Sequence, residues 1–192
     1  MDEVEYREKL IKQVHAGQKL SKEERLWLIT NPIYNTKFGA PVLNVDILRL
    51  KPNCTYNVFV TLLTNNSGEI IFPAFGVPDK NGRIIVRNNL YRKGELCPYK
   101  DAYMVAFETL CDNKPSDEFS FKSTTGILSI TIHCRFFDNH GLLTGKSSMS
   151  GDSRFAMRKK YVSDDEIVYF CTSPLNDNFN DYSFSVRFAK SE

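Results

Sequence analysis

The chain has 192 residues, of which 42% are apolar and 25% charged, enough for one ordinary core and unlike a disordered composition. Twenty-five bases against 23 acids leave a formal charge of +2, which excludes the global basic excess of a dedicated nucleic-acid binder. Fourteen Phe and nine Tyr, beside a single Trp, weight the expectation towards strands.

The first residues, Met1-Asp2-Glu3-Val4-Glu5, are acidic and no apolar h-region follows, so no signal peptide is expected. Residues 2–16 carry Tyr6, Leu10, Ile11 and Val14 at spacings of three and four, which predicts a helix with one apolar stripe. Gly17 stands where a glycine cap belongs. Ser21 and Glu24 have capping-box spacing and open a second helix through Leu26, Trp27 and Ile29. Asn31-Pro32 ends it. Residues 1–31 therefore form a helical N-terminal arm, and 32–192 the main domain.

From Pro32 onward, short apolar runs alternate with Gly, Pro, Asn and Asp. The clearest strand is 126–136, where Leu128, Ile130, Ile132, Cys134 and Phe136 alternate with Ser129, Thr131, His133 and Arg135. The same period-two pattern recurs at Tyr56–Leu62 and Tyr182–Phe188. Further strands are expected at 42–50, 69–76, 83–87, 102–110 and 166–172, with Asn81-Gly82 as a hairpin signal. Eight to ten strands at short spacing predict a mainly β fold: an antiparallel sandwich, jelly-roll-like, or a barrel, with a short helical arm. Lys146 to Tyr161 is ambiguous between loop, strand and short helix. No apolar run, Ala102–Phe107 included, is long enough to span a membrane.

Cys54, Cys97, Cys111, Cys134 and Cys171 are odd in number and dispersed, which points to reduced thiols and a cytoplasmic setting. The glycosylation patterns at Asn53 and Asn65 then carry no weight.

Each motif that suggests chemistry fails on spacing or context. Gly141 and Gly145 enclose three residues where a phosphate-binding loop has four, and poor helix formers follow Lys146-Ser147. His133 and Cys134 are adjacent on a strand and point to opposite faces, so they cannot share a metal with each other. The Asn176–Asp181 run lacks the Gly and Glu of a calcium loop. No metal, cofactor or catalytic residue is assigned.

The preferred function is a non-enzymatic binding or assembly module that recognises a protein or ligand through a sheet face or loops. The candidate contacts are His133 and Arg135, on the polar side of the best strand, and the basic loop Arg154, Arg158, Lys159 and Lys160. Trp27 is expected to dock on the chain's own core or on a partner, a second copy of the chain included. One alternative is a hydrolase-type enzyme with a Cys/His/carboxylate site assembled in space. A weaker one is a nucleic-acid contact through 146–161, where Phe155 and Tyr161 interleave the bases but Asp164-Asp165-Glu166 follow at once.

Overall fold

The computed structural model describes residues 2–30, 33–35, 40–43, 45–66, 70–77, 82–86, 89–91, 103–107, 110, 115–137, 143–148, 156–172 and 179–191. Helix α1 (Glu3–His15) is capped by Asp2. The Asp2 carboxylate accepts from the Glu5 N–H at 2.8 Å, and the Glu5 carboxylate accepts from the Asp2 N–H at 3.2 Å. Helix α2 (Lys22–Thr30) repeats the device with Ser21 and Glu24, at 3.0 and 2.7 Å. In both cases two orphan N–H groups are satisfied reciprocally. Gly17, at φ 74°, closes the first helix.

The strands follow in chain order: β1 (Ile33–Asn35), β2 (Ala40–Val42), β3 (Val45–Arg49), β4 (Thr55–Asn65), β5 (Ile70–Val77), β6 (Arg83–Val86), β7 (Asn89–Tyr91), β8 (Tyr103–Ala106), β9 (Ser116–Lys122), β10 (Ile127–Phe137), β11 (Leu143–Ser148), β12 (Ala156–Tyr161), β13 (Glu166–Thr172) and β14 (Tyr182–Lys190). All described pairings are antiparallel. One sheet runs β11-β10-β5-β8, with β3 also on β10. A larger one runs β12-β13-β14-β4-β9-β6-β7, and β1 and β2 form a two-stranded ribbon of their own. β5 takes one edge of β10, so β3 and β11 share the other in succession. The two sheets are separate, and the architecture is a sandwich rather than a closed barrel.

Period-two patterning explains the core. Tyr56, Val58, Val60 and Leu62 of β4 and Tyr182, Phe184, Val186 and Phe188 of β14 face Leu128, Ile130 and Ile132 of β10 and Phe75 of β5. Aromatic pairs thread this layer, with Tyr169 stacked on Phe184 at 5.0 Å and Phe75 against Phe119 at 5.0 Å. Each such side chain contributes about 1.5–3 kcal/mol by leaving water.

A second apolar layer lies outside this core. Leu10, Leu20, Val42, Val45, Phe72 and Ala74 are buried but do not belong to the inter-sheet cluster. Phe72 and Ala74 pair with His133 and Thr131, which puts them on the opposite face of β5 from Ile71 and Phe75. Val45 pairs with Thr131 from the other side. Helix α2 packs against β3 of the smaller sheet, and α1 against α2. Trp27 joins the helices: its ring meets Tyr6 edge-on at 4.7 Å, and Arg7 lies over it at 5.7 Å.

Most expected strands are present. β1, β7 and β9 match no expected strand, and β12 lies in the window left open between loop, strand and short helix, because Ser116–Lys122 and Ala156–Tyr161 are rich in polar and charged residues. Their apolar positions, Phe119, Phe121 and Met157, are few but fully used in the core. Within 146–161, the backbone is extended at both ends, and 149–155 lie outside the described residues. Gly126, at φ 71°, precedes β10, and its carbonyl accepts from the Leu50 N–H at 2.8 Å.

Two outcomes are expected. Gly126→Ala meets both a left-handed backbone and the Leu50 carbonyl oxygen, and should cost at least about 1–3 kcal/mol in urea unfolding. Leu10→Ala should loosen the arm, at about 2–5 kcal/mol for a buried leucine. Emission of the sole tryptophan, Trp27, should then shift to the red. Unchanged emission would contradict the docking described here.

Candidate functional site

The basic segment recognised in the sequence does not fold into one loop. It divides three ways. Lys146 lies on β11, paired in register with Arg135, while His133 pairs with Ser148. His133 and Arg135 occupy the face of β10 that also carries Thr131, on the smaller sheet. Arg154 lies outside the described residues, as does His140. Arg158, Lys159 and Lys160 lie on β12, an outermost strand of the larger sheet. The backbone thus places His133 and Arg135 on one sheet and the β12 cations on the other.

Alternation then separates the three β12 cations. Met157 points into the core, so Lys159 does too, and Arg158 and Lys160 point out. Lys159 is drawn inward by Asp46 of β3. Its Nζ lies 2.9 and 3.0 Å from the two carboxylate oxygens. Tyr169 of β13 donates its hydroxyl to Asp46 Oδ2 at 2.7 Å. Asp46 is 4% exposed and Tyr169 fully buried. β3 belongs to one sheet, and β12 and β13 to the other, so this trio anchors the sheets to each other. Lys159 also lies over the Tyr161 ring at 5.3 Å.

Burial alone would lower the Lys159 ammonium, but Asp46, by hydrogen bond and charge, and Tyr161 together outweigh it and hold it above its ordinary value. The Tyr169 phenol is pushed well up, first by burial and then by the Asp46 charge. Burial also raises the thiol of Cys171 and the phenol of Tyr182. Cys171 is therefore a poor nucleophile and behaves as a core residue.

Arg158 and Lys160 belong to a broader outer face that the sequence did not reveal. Register rows give its members. Arg158 aligns with Phe170 and Ser183, and Lys160 with Val168, Ser185 and Thr61. Glu166 aligns with Arg187, Phe59 and Glu118. Asn57 aligns with Ser120 and Ile85, and Lys122 with Arg83. Ser183 and Ser185 form a low floor between taller neighbours and are largely buried, with Ser183 Oγ 2.7 Å from Thr64 Oγ1. Ser120 donates to Asn57 Oδ1 at 2.7 Å. The Arg158 guanidinium lies 4.1 Å over Phe179, and that of Arg187 lies 4.8 Å over Phe59. Ile85 is 40% exposed.

Phe59, Arg187 and Arg83 were absent from the sequence-derived contacts. The alternation of Arg187 with the core residues of its strand was visible, but not that its row runs through Glu166 and Phe59. Trp27 is half-buried against α1, in contact with the chain's own residues. Among the described residues no His, Cys, Asp and Glu side chains gather as a metal-ligand group, and no helix is long and apolar enough to cross a membrane.

Comparison with protein-family models, with curated proteins and with solved structures gives no match.

Removing Asp46 leaves a buried hydroxyl and an ammonium without their acceptor. Asp46→Ala should cost about 3 kcal/mol, the low end for a broken buried pair, because 27% of the Lys159 side chain is exposed and can rehydrate. The alkaline limb follows from the raised Lys159, Tyr169 and Cys171. Their stabilisation is complete below the unfolded values of roughly 8.5 to 10.4 and is lost as pH rises through the folded ones. Urea midpoints should fall steadily between about pH 9 and 11. Tyr169→Phe should make that fall shallower while lowering stability at pH 7 by about 1–3 kcal/mol.

Proposed function

We propose that this protein is a non-enzymatic binding or assembly module whose contact surface is the outer face of the larger sheet. The observation that carries the reading is the composition of that face. It combines half-buried Phe59, Val168 and Phe170 with exposed Ile85, Arg187, Lys160, Lys122 and Arg83, around a floor of small hydroxylated side chains. Helix α2 lies against β3 of the smaller sheet, whereas this face runs over the strands from β12 to β6 of the larger one. Aromatic and arginine side chains held in place by stacking lose little entropy on contact, which suits recognition.

Cys54 and Cys171 are free thiols, which supports a reducing compartment such as the cytoplasm. The hydrolase reading gains no support from Cys171, whose thiol is sealed in the core. The basic-segment reading loses Lys159 to Asp46 and Lys146 to the other sheet, which weakens a contact made through 146–161.

Photo-cross-linking in native-host lysate tests the proposal. A benzoylphenylalanine in place of Ile85 or Lys160 should give a shared adduct with one partner. The same probe at exposed Lys22 or Lys51, away from the face, should not give it. Adducts formed equally from all positions, or only from Lys22 and Lys51, would overturn the outer-face reading.

A further inference from the structure

We infer that the outer face of the larger sheet takes a partner protein whose contacting surface is rich in Asp and Glu; this rests on the binding-face reading above. Charge is the first ground. Among the described strand residues, Arg83, Lys122, Arg158, Lys160 and Arg187 share this face with two acids, Glu118 and Glu166. Over the whole chain the excess is +2, so the face holds more positive charge than the molecule as a whole. Among the described residues, none of Arg83, Lys122, Lys160 or Arg187 has an acidic partner in hydrogen-bond or ion-pair contact. Glu166 stands opposite Arg187 in register, yet the Arg187 guanidinium lies over the Phe59 ring instead.

That stacking is the second ground. A guanidinium held on a ring, as that of exposed Arg187 is on Phe59, loses little freedom when a carboxylate arrives. It also covers the ring. The exposed faces of Phe59 and Phe179 are occupied by Arg187 and Arg158, so they are not open platforms for nucleotide bases. The cations are spread over strands from β12 to β6, a width of about 24 Å at the usual strand spacing. Glu118 and Glu166 interrupt them. A phosphate backbone asks for a continuous cationic track, whereas a protein surface can match a mosaic that includes both signs. A second copy of this chain would bring the same positive excess against itself, and like charges across an interface are costly.

The test compares two probes on the intact chain by fluorescence anisotropy: labelled poly-L-glutamate and labelled oligothymidylate, each at low and at physiological ionic strength. Two variants carry equal charge change. One reverses the face (Arg83→Glu, Lys122→Glu, Lys160→Glu and Arg187→Glu). The other reverses exposed lysines elsewhere (Lys12→Glu, Lys19→Glu, Lys22→Glu and Lys51→Glu). Circular dichroism establishes that both are folded. Polyglutamate should bind the parent chain more tightly than oligothymidylate does. The face variant should lose at least about tenfold, and the other variant should stay within about twofold. The inference fails if polyglutamate does not bind, if both variants lose equally, or if oligothymidylate binds the parent chain more tightly and is lost in the face variant. Cross-links that map to the outer face together with no polyglutamate binding would leave the binding face standing and remove its acidic partner.

Discussion

Asp46 is a carboxylate set between two apolar sheets, and the arrangement around it decides much of the structure. A lone buried carboxylate would be strongly unfavourable. Here one oxygen accepts from Tyr169 and both are within reach of Lys159. The pair satisfies Asp46 only when β3 of one sheet lies over β12 and β13 of the other. Apolar packing is tolerant of sliding, whereas these hydrogen bonds hold in one alignment. Leu43, which bonds to Met157 in both directions at 2.8 Å, ties the same corner through the backbone. The chain crosses there from the edge of the larger sheet into the smaller one.

The anchor also explains how the two sheets come to differ in use. In the smaller sheet Phe75 and Ile130 look into the core, while the other face mixes buried Phe72, Ala74 and Val45 with the polar side of β10 that carries Ser129 and Thr131. Helix α2 lies against β3 of this sheet, and Leu10 and Leu20 of the arm are buried. The larger sheet is apolar on one face only. Its other face carries Ser183, Ser185, Asn57 and Ser120, which need no cover, together with the arginines that shield Phe59 and Phe179. The face proposed for binding belongs to the larger sheet, whereas α2 lies against β3 of the smaller one.

The candidate contacts illustrate how alternation redistributes a charge run. Arg158, Lys159 and Lys160 are consecutive, yet Lys159 turns to Asp46 and the others turn outward. The functional weight of the segment therefore lies less in the run than in what its strand neighbours add. Arg187, two strands away, and Phe59, three strands away, belong to the same surface as Lys160 only because β13, β14 and β4 lie side by side in that order.

The sequence by itself determined the elements whose cause is local. The two capped helices follow from Asp2 with Glu5 and Ser21 with Glu24, since capping uses neighbours within one turn. The long strands β4, β10 and β14 follow from strict alternation, and with them the mainly β class, sandwich or barrel. Weaker strands such as β9 and β12 were not legible, because Phe119, Phe121 and Met157 matter only once a facing layer exists to bury them. His133 and Arg135 were visible as the polar side of a strand, but not that their strand would join a different sheet from Arg158 and Lys160. Tertiary structure alone decided the strand order, the pairing of Asp46 with Lys159 and Tyr169 across more than a hundred residues, and the gathering of cations on one face. Those depend on which strands become neighbours, and no periodicity within a strand encodes its neighbour.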